Sequence, residues 1–114
     1  MIEKKKLNLF ISQPISDKTD EEIKTERKKA IKSVQDKYGD EYDIKVLDSY
    51  IEYFNADDKN INKPLYYLGM SLKILAEADI AYFCKGWEKY RGCKIENEAA
   101  IAYDIPLVIE DYTK

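Results

Sequence analysis

Four short apolar runs alternate along this chain with three longer stretches whose apolar residues recur at helical spacing. That alternation restricts the fold more than any other feature. The runs are "LNLFIS" at 7–12, "YDIKVLDSY" at 42–50, "DIAYFC" at 79–84 and "IPLVIE" at 105–110. Each reads as a strand, the first as a buried one, and the second alternates around Ile44, Val46 and Leu47. The first helical stretch opens at Thr19, with Glu22 completing a capping box, and carries Ile23, Ala30, Ile31, Val34 and Tyr38 on one stripe before Gly39 ends it. The second opens at Pro64, a residue suited to a helix's first turn, with apolar residues at 65, 68, 72, 75 and 76. The third starts near Gly92. Strands alternating with helices, without hairpin signals, imply a parallel sheet covered on both faces and joined by right-handed crossovers. A chain of 114 residues holds one such domain, spanning 1–114.

In open sheets of this kind ligands sit beyond the carboxyl ends of the strands, where the strand order reverses. Those ends carry "SQPIS", "DSYIEYF" and "CKGWEKYRG", the least ordinary segments of the sequence. They are expected to converge on one rim and to form a pocket there. What chemistry the pocket holds is narrowed by composition. The chain has no His, which excludes Ser-His-Asp triads, Cys-His dyads and His-metal sites. Cys84 and Cys93 lack zinc spacing and are too few for a disulfide framework, so they read as reduced thiols in a cytoplasmic protein. No metal and no cofactor are expected. A formal charge of −3 argues against nucleic acid as a partner, because phosphate neutralisation needs a basic surface, but leaves room for a small anion held by local groups. No apolar run approaches a membrane span and no signal peptide precedes the first strand, so no membrane partner is expected. The ten Tyr suit pocket walls and subunit interfaces, or simply a half-buried surface.

On the third helix, at roughly 100° per residue, Ile95, Ala99 and Ala102 cluster and are expected to face the sheet. Gly92, Glu96 and Ala100 form the adjacent stripe, on which Glu96 is the only functional group. Glu98 lies on the other flank, so Glu96 is the carboxylate to expect in any chemistry. Stabilisation of the helix N-terminus by both Glu is the plain alternative. That N-terminus also offers unpaired amides to an anion, with Lys89 and Arg91 adding charge unless they belong to a solvated loop. Trp87, following Gly86, packs on its own subunit, on a partner subunit or on a planar ligand. In the first turn Gln13 has hydrogen-bonding capacity, Pro14 fixes the bend, and Ser12 and Ser16 can donate to a phosphate or sugar. Asp48 sits at the pocket end of the second strand, near Tyr50, Tyr53 and Phe54, which could wall an aromatic slot. Asp79 opens the third strand at the opposite end and reads as a turn or cap residue.

"FISQPISDKTDEEIKTERKKAI" followed by "LAEADIAYFCKGWEKYRGCKIENEAAIAYDIPLVI" resembles the nucleoside 2-deoxyribosyltransferase-like superfamily, and within it the small bacterial and phage-type members. The similarity runs over about residues 7–110, strongest in "ISQP" and "GWEKYRGCKIENE" and weak in the middle third. The resemblance implies a flavodoxin-like, or Rossmann-like, α/β three-layer sandwich with a four-stranded parallel sheet, assembled as a homodimer or higher homo-oligomer. It implies a nucleoside or nucleotide ligand and cleavage of an N-glycosidic bond by a Glu one helical turn after a Gly and ten residues before the Pro of the next strand. Gly92, Glu96 and Pro106 meet both spacings, and Glu98 meets neither. The implied nucleophile is thus Glu96, and the reading of the strand tips and helix start adds Ser12, Gln13, Pro14, Ser16, Asp48, Gly86, Trp87, Arg91 and Gly92 as candidate ligand contacts. Glu96 would attack the anomeric carbon as the base leaves, and the sugar ester would pass to water or another base.

The chain departs from the active transferases at Ser71, where they carry an Asp, and at Gln13, where they usually carry Gly. The Ser71 replacement favours a second reading, in which the domain holds a nucleotide-derived signal without turning it over. A third is an interaction module whose Tyr- and Trp-rich surface meets a protein partner.

Overall fold

The computed structural model describes residues 4–15, 18–47 and 62–110. The elements run β1 (Lys5–Ser12), α1 (Asp20–Tyr38), β2 (Tyr42–Val46), α2 (Lys63–Leu75), β3 (Ile80–Phe83), a 3₁₀ turn (Trp87–Lys89), α3 (Arg91–Ala102) and β4 (Leu107–Ile109). Every strand pairing is parallel, and the sheet order is β2-β1-β3-β4. The architecture is therefore the expected α/β sandwich of flavodoxin or Rossmann type.

Central and edge strands differ in the way their positions in the sheet demand. The last four residues of β1 and all four of β3 are buried, since both strands are covered on two faces. β2, at an edge, alternates between exposed and half-buried residues. Strand alternation then sorts the core into two halves. Leu9, Ile11, Ile80, Tyr82 and Cys84 pack with Ala30 and Val34 of α1. Phe10, Ala81 and Phe83 pack on the opposite face with Leu75 of α2, and with Leu72 and Ala99 at its margin. Phe10 is completely buried, which by transfer free energy alone is worth about 1.5–3 kcal/mol. Ser12, two residues beyond Phe10, falls on the α2/α3 face by the same alternation.

The helix boundaries follow local chemistry. At α1, the Glu22 amide donates to Thr19 Oγ1 at 3.1 Å and the Thr19 amide to the Glu22 carboxylate at 2.9 Å, the reciprocal box that the sequence announces. Gly39 closes the helix in right-handed rather than left-handed geometry, its amide donating to the Gln35 carbonyl. At α2, Asn62 caps Leu65 and Pro64 lies in the first turn. Asp79 acts as a cap between strands, its carboxylate accepting from the Asn8 amide at 2.8 Å. The second strand is shorter than the run 42–50 suggests, ending at Val46, and residues 48–50 lie outside the described residues.

The expected inner face of α3 is overturned for Ile95 and Ala102 and holds for Ala99. Ile95 and Ala102 are exposed and Ala99 is half-buried, whereas Cys93, Glu96, Asn97 and Ala100 are buried. The helix is turned so that its small residues meet the sheet: Ala100 is fully buried and Cys93 nearly so. Bulky Ile95 and Ile101 stay outside that close contact, at 38% and 60% exposure. The turn carries Glu96 into the interior.

Candidate functional site

β1 leads leftward to β2 and the chain then crosses to β3 on the other side, so the topological switch lies between β1 and β3. A cavity of about 670 Å³ opens beside the β1 tip on the α2/α3 side of that point. Its walls come from the β1 tip (Ser12, Gln13, Pro14), from α1 (Arg27), from α2 (Tyr67, Ser71) and from the start of α3 (Arg91, Gly92, Cys93, Glu96).

Glu96 lies on the cavity wall at 7% exposure. Its Oε1 accepts from Ser12 Oγ at 2.6 Å, a contact closed across 84 residues of sequence. Burial pushes the Glu96 carboxyl above its ordinary value, while hydrogen bonds from Ser12 and Ser71 act against that rise by favouring the charged form. The β1 tip and α3 thus meet at one carboxylate, and Ser71 of α2 stands on the same cavity wall. Ser12 is itself fixed by the sheet, its carbonyl accepting from the Cys84 amide at 2.9 Å. Cys93, one turn before Glu96, has its thiol pushed up to about 11 by burial, with a hydrogen bond to Ser12 in opposition. Cys84 is pushed up to about 12, chiefly by burial. Neither thiol is a nucleophile at neutral pH.

The polar walls are also ordered. Gln13 donates to the Ile23 carbonyl at 3.0 Å and accepts from Arg27 Nη1 at 3.3 Å, while Arg27 Nη2 donates to the Leu47 carbonyl at 3.0 Å. The amide expected to read a ligand is therefore engaged on both sides in positioning Arg27. At the start of α3 the cap residue Tyr90 supplies no side-chain bond, and the first turn holds no acidic residue. The first helical bond is from the Lys94 amide to the Tyr90 carbonyl, which leaves the preceding amides without an acceptor inside the helix. A Cβ at Gly92 would meet nothing within 4 Å, so the cavity side of that turn is open.

Of the residues singled out from sequence, Ser12, Gln13, Pro14, Arg91, Gly92 and Glu96 come together on the cavity wall. Gly86 and Trp87 do not line it. Trp87 is half-buried against Phe83, ring centroids 5.6 Å apart and nearly edge-on, so of the roles open to it the observed one is packing on its own subunit. Its buried Nε1 has no hydrogen-bond partner among the described residues, nor has Nδ2 of Asn97. Ser16 and Asp48, with Tyr50, Tyr53 and Phe54, lie outside the described residues. Arg27, Tyr67, Tyr90 and Cys93 line the cavity without having been anticipated there. For Cys93 a signal existed, since it precedes Glu96 by one turn and Ala100 by two on a stripe of small residues.

Gly86 shapes the turn rather than the wall. Its φ of +92° is one that side chains rarely adopt, and a Cβ there would stand 3.8 Å from Pro14 Cγ, an ordinary contact. Gly86→Ala is therefore expected to lose about 1–2 kcal/mol from backbone strain alone. Urea denaturation checks this, and a loss within error of zero would show that the turn relaxes.

Among the described residues, no group of three or more His, Cys, Asp or Glu could hold a metal ion, and no helix is long and apolar enough to cross a membrane. Compared with known proteins, the chain matches no family model, no curated protein and no solved structure, so its site is read from its own geometry.

Proposed function

We propose that the cavity binds a nucleoside or nucleotide and that Glu96 attacks the anomeric carbon, cleaving the N-glycosidic bond and holding the sugar as an ester until water or another base takes it. The observation that carries this reading is the buried Glu96 carboxylate, oriented by Ser12 on the wall of a cavity of nucleoside size. Desolvation disfavours the anion in the empty site. It also makes the anion a better complement to a cationic, oxocarbenium-like transition state, because the two charges meet at low dielectric. The site is poor for the ground state and good for the transition state, which is the difference that accelerates a reaction.

A second reading, retention of the ligand without turnover, is favoured by one observation. Glu96 is the only carboxylate among the described residues lining the cavity, so none of those residues is a second acid able to protonate the leaving base. Ser71, at the position where a transferase would carry that acid, puts a hydroxyl on the same wall.

Incubation with the deoxynucleosides and their 5′-monophosphates, followed by chromatography for free base and intact ligand, separates the two. Free base supports glycosidic cleavage. Intact ligand retained on the protein supports binding alone, and the absence of both removes the nucleoside reading.

A further inference from the structure

Tyr90 is a poor fit for the place it holds. It is the N-cap of α3, a position that favours Ser, Thr, Asn or Asp, whose short side chains accept from the first-turn amides. Tyr90 makes no such bond. Its backbone amide donates to the Trp87 carbonyl at 3.1 Å and its carbonyl accepts from the Lys94 amide at 3.0 Å, bonds that any residue but Pro would make there. The side chain adds nothing to them. Among the described residues its hydroxyl makes no hydrogen bond, its ring pairs with no other ring, and it belongs to neither half of the core. Trp87, three residues earlier, is by contrast packed on Phe83. A residue that breaks a local preference without a structural gain marks a site shaped for something else.

That something else is the cavity, whose wall includes the half-buried Tyr90. Its neighbours on the wall suit a flat apolar group. Pro14 and Ile15 come from the β1 tip, Leu65 from the first turn of α2 and Ile95 from α3, and the last three stay exposed. Ile95 is exposed because α3 is turned to bury Cys93 and Ala100, and it stands on the cavity wall with Tyr90 and Glu96. Gly92, two residues after Tyr90, leaves open space on the same wall, where even an added Cβ would meet nothing within 4 Å. Aromatic ring and carboxylate thus reach the cavity from one helix start.

We infer that Tyr90 is a specificity-determining residue of this site, its ring the platform on which a planar heteroaromatic base stacks, and that it favours purines over pyrimidines. The inference rests on the nucleoside reading for the sugar, while its aromatic half stands on Tyr90 and the apolar residues around it. Stacking on a ring face needs no hydrogen-bond code, so every base is accepted, and the larger face of a purine gains more from it. Exposed Ile15, Leu65 and Ile95 then cover the edges of the base and lose their own contact with water when it binds.

The test is calorimetric titration of the full chain with the four deoxynucleosides and with their free bases, a melting curve showing that each variant is folded. Tyr90→Phe keeps the ring and is expected to match the native affinity within about twofold. Tyr90→Ser removes the ring and offers α3 a capping hydroxyl, so the fold is kept. It is expected to bind about tenfold or more weakly, with a larger loss for purine than for pyrimidine nucleosides. Should Tyr90→Ser not fold, Tyr90→Leu takes its place, keeping apolar bulk without the flat face, and is expected to lose at least about fivefold. A ring-free variant that binds as tightly as the native protein overturns the inference and leaves the nucleoside reading intact. So does a loss in Tyr90→Phe equal to that in the ring-free variant, or a loss no larger for purines. Ring-dependent binding of a free base without binding of any nucleoside upholds the platform and overturns the nucleoside reading. Binding of none of these probes overturns both.

Discussion

Glu96→Gln is expected to abolish base release, by at least about a thousandfold, while leaving ligand binding within a few-fold of the native value. The amide matches the carboxylate in shape, keeps an oxygen to accept from Ser12, and cannot form the glycosyl ester. Its effect on stability runs the other way. Because burial raises the Glu96 pKa in the folded state, the folded protein binds more protons than the unfolded chain between the ordinary carboxylate value and the raised one. Stability from this group is then greatest in acid and declines as pH rises through the raised pKa. Gln carries no charge to desolvate, so Glu96→Gln is expected to be the more stable protein at neutral pH, by about 1 kcal/mol, the scale of single stabilising changes. The gap should close as pH falls towards the ordinary carboxylate range. Thermal melting of both proteins across pH checks the sign, and a variant less stable than the native protein at neutral pH would show that the hydroxyl partners outweigh desolvation. Loss of activity together with gain of stability is the pattern of a group retained for function.

The fold was legible because its signals are local. The capping box at Thr19 and Glu22, the Pro64 start and the difference between the continuous run "IAYF" and the alternating "YDIKV" are each contained within a few residues. Those patterns were enough to expect a parallel sheet of four strands, while the order β2-β1-β3-β4 came only from the structure. The face of α3 was not legible in the same way. Counting apolar residues ranks Ile95 above Cys93 and puts the sheet-facing stripe on Ile95, Ala99 and Ala102, two of which are exposed. What reverses the ranking is a hydroxyl at the end of β1, 84 residues away, which gives a buried carboxylate a partner. Periodicity carries no information about such a partner. Glu96 itself was identified because its neighbours on the helix are small, a local fact, and the cavity's other cation, Arg27, was missed because on α1 it looks like any charged outer-face residue.

Ser12→Ala isolates the hydroxyl that makes the site. The backbone at this position is pinned in the ladder, with Ser12 paired to Phe83 and its carbonyl accepting from Cys84, so the substitution removes one oxygen and leaves the strand in register. The buried Glu96 carboxylate then loses its 2.6 Å donor, and an unsatisfied buried polar group of this kind costs about 1–3 kcal/mol. The cost falls on the charged form. Ser12 holds the Glu96 pKa down against burial, so its removal raises that pKa further, and the destabilisation should be largest above the raised pKa and smallest in acid, where Glu96 is neutral. Base release should fall with it, because at neutral pH a smaller fraction of Glu96 is ionised and the remaining anion is less well oriented. Packing loss alone predicts something different: a small penalty independent of pH. Repeating the substitution in a Glu96→Gln background makes the comparison quantitative, since the two residues are in contact and their effects should not add. Urea denaturation of the single and double variants at neutral and acid pH reads the coupling. A penalty that is the same at both pH values and in both backgrounds would mean that Ser12 is filling space and does not orient the carboxylate.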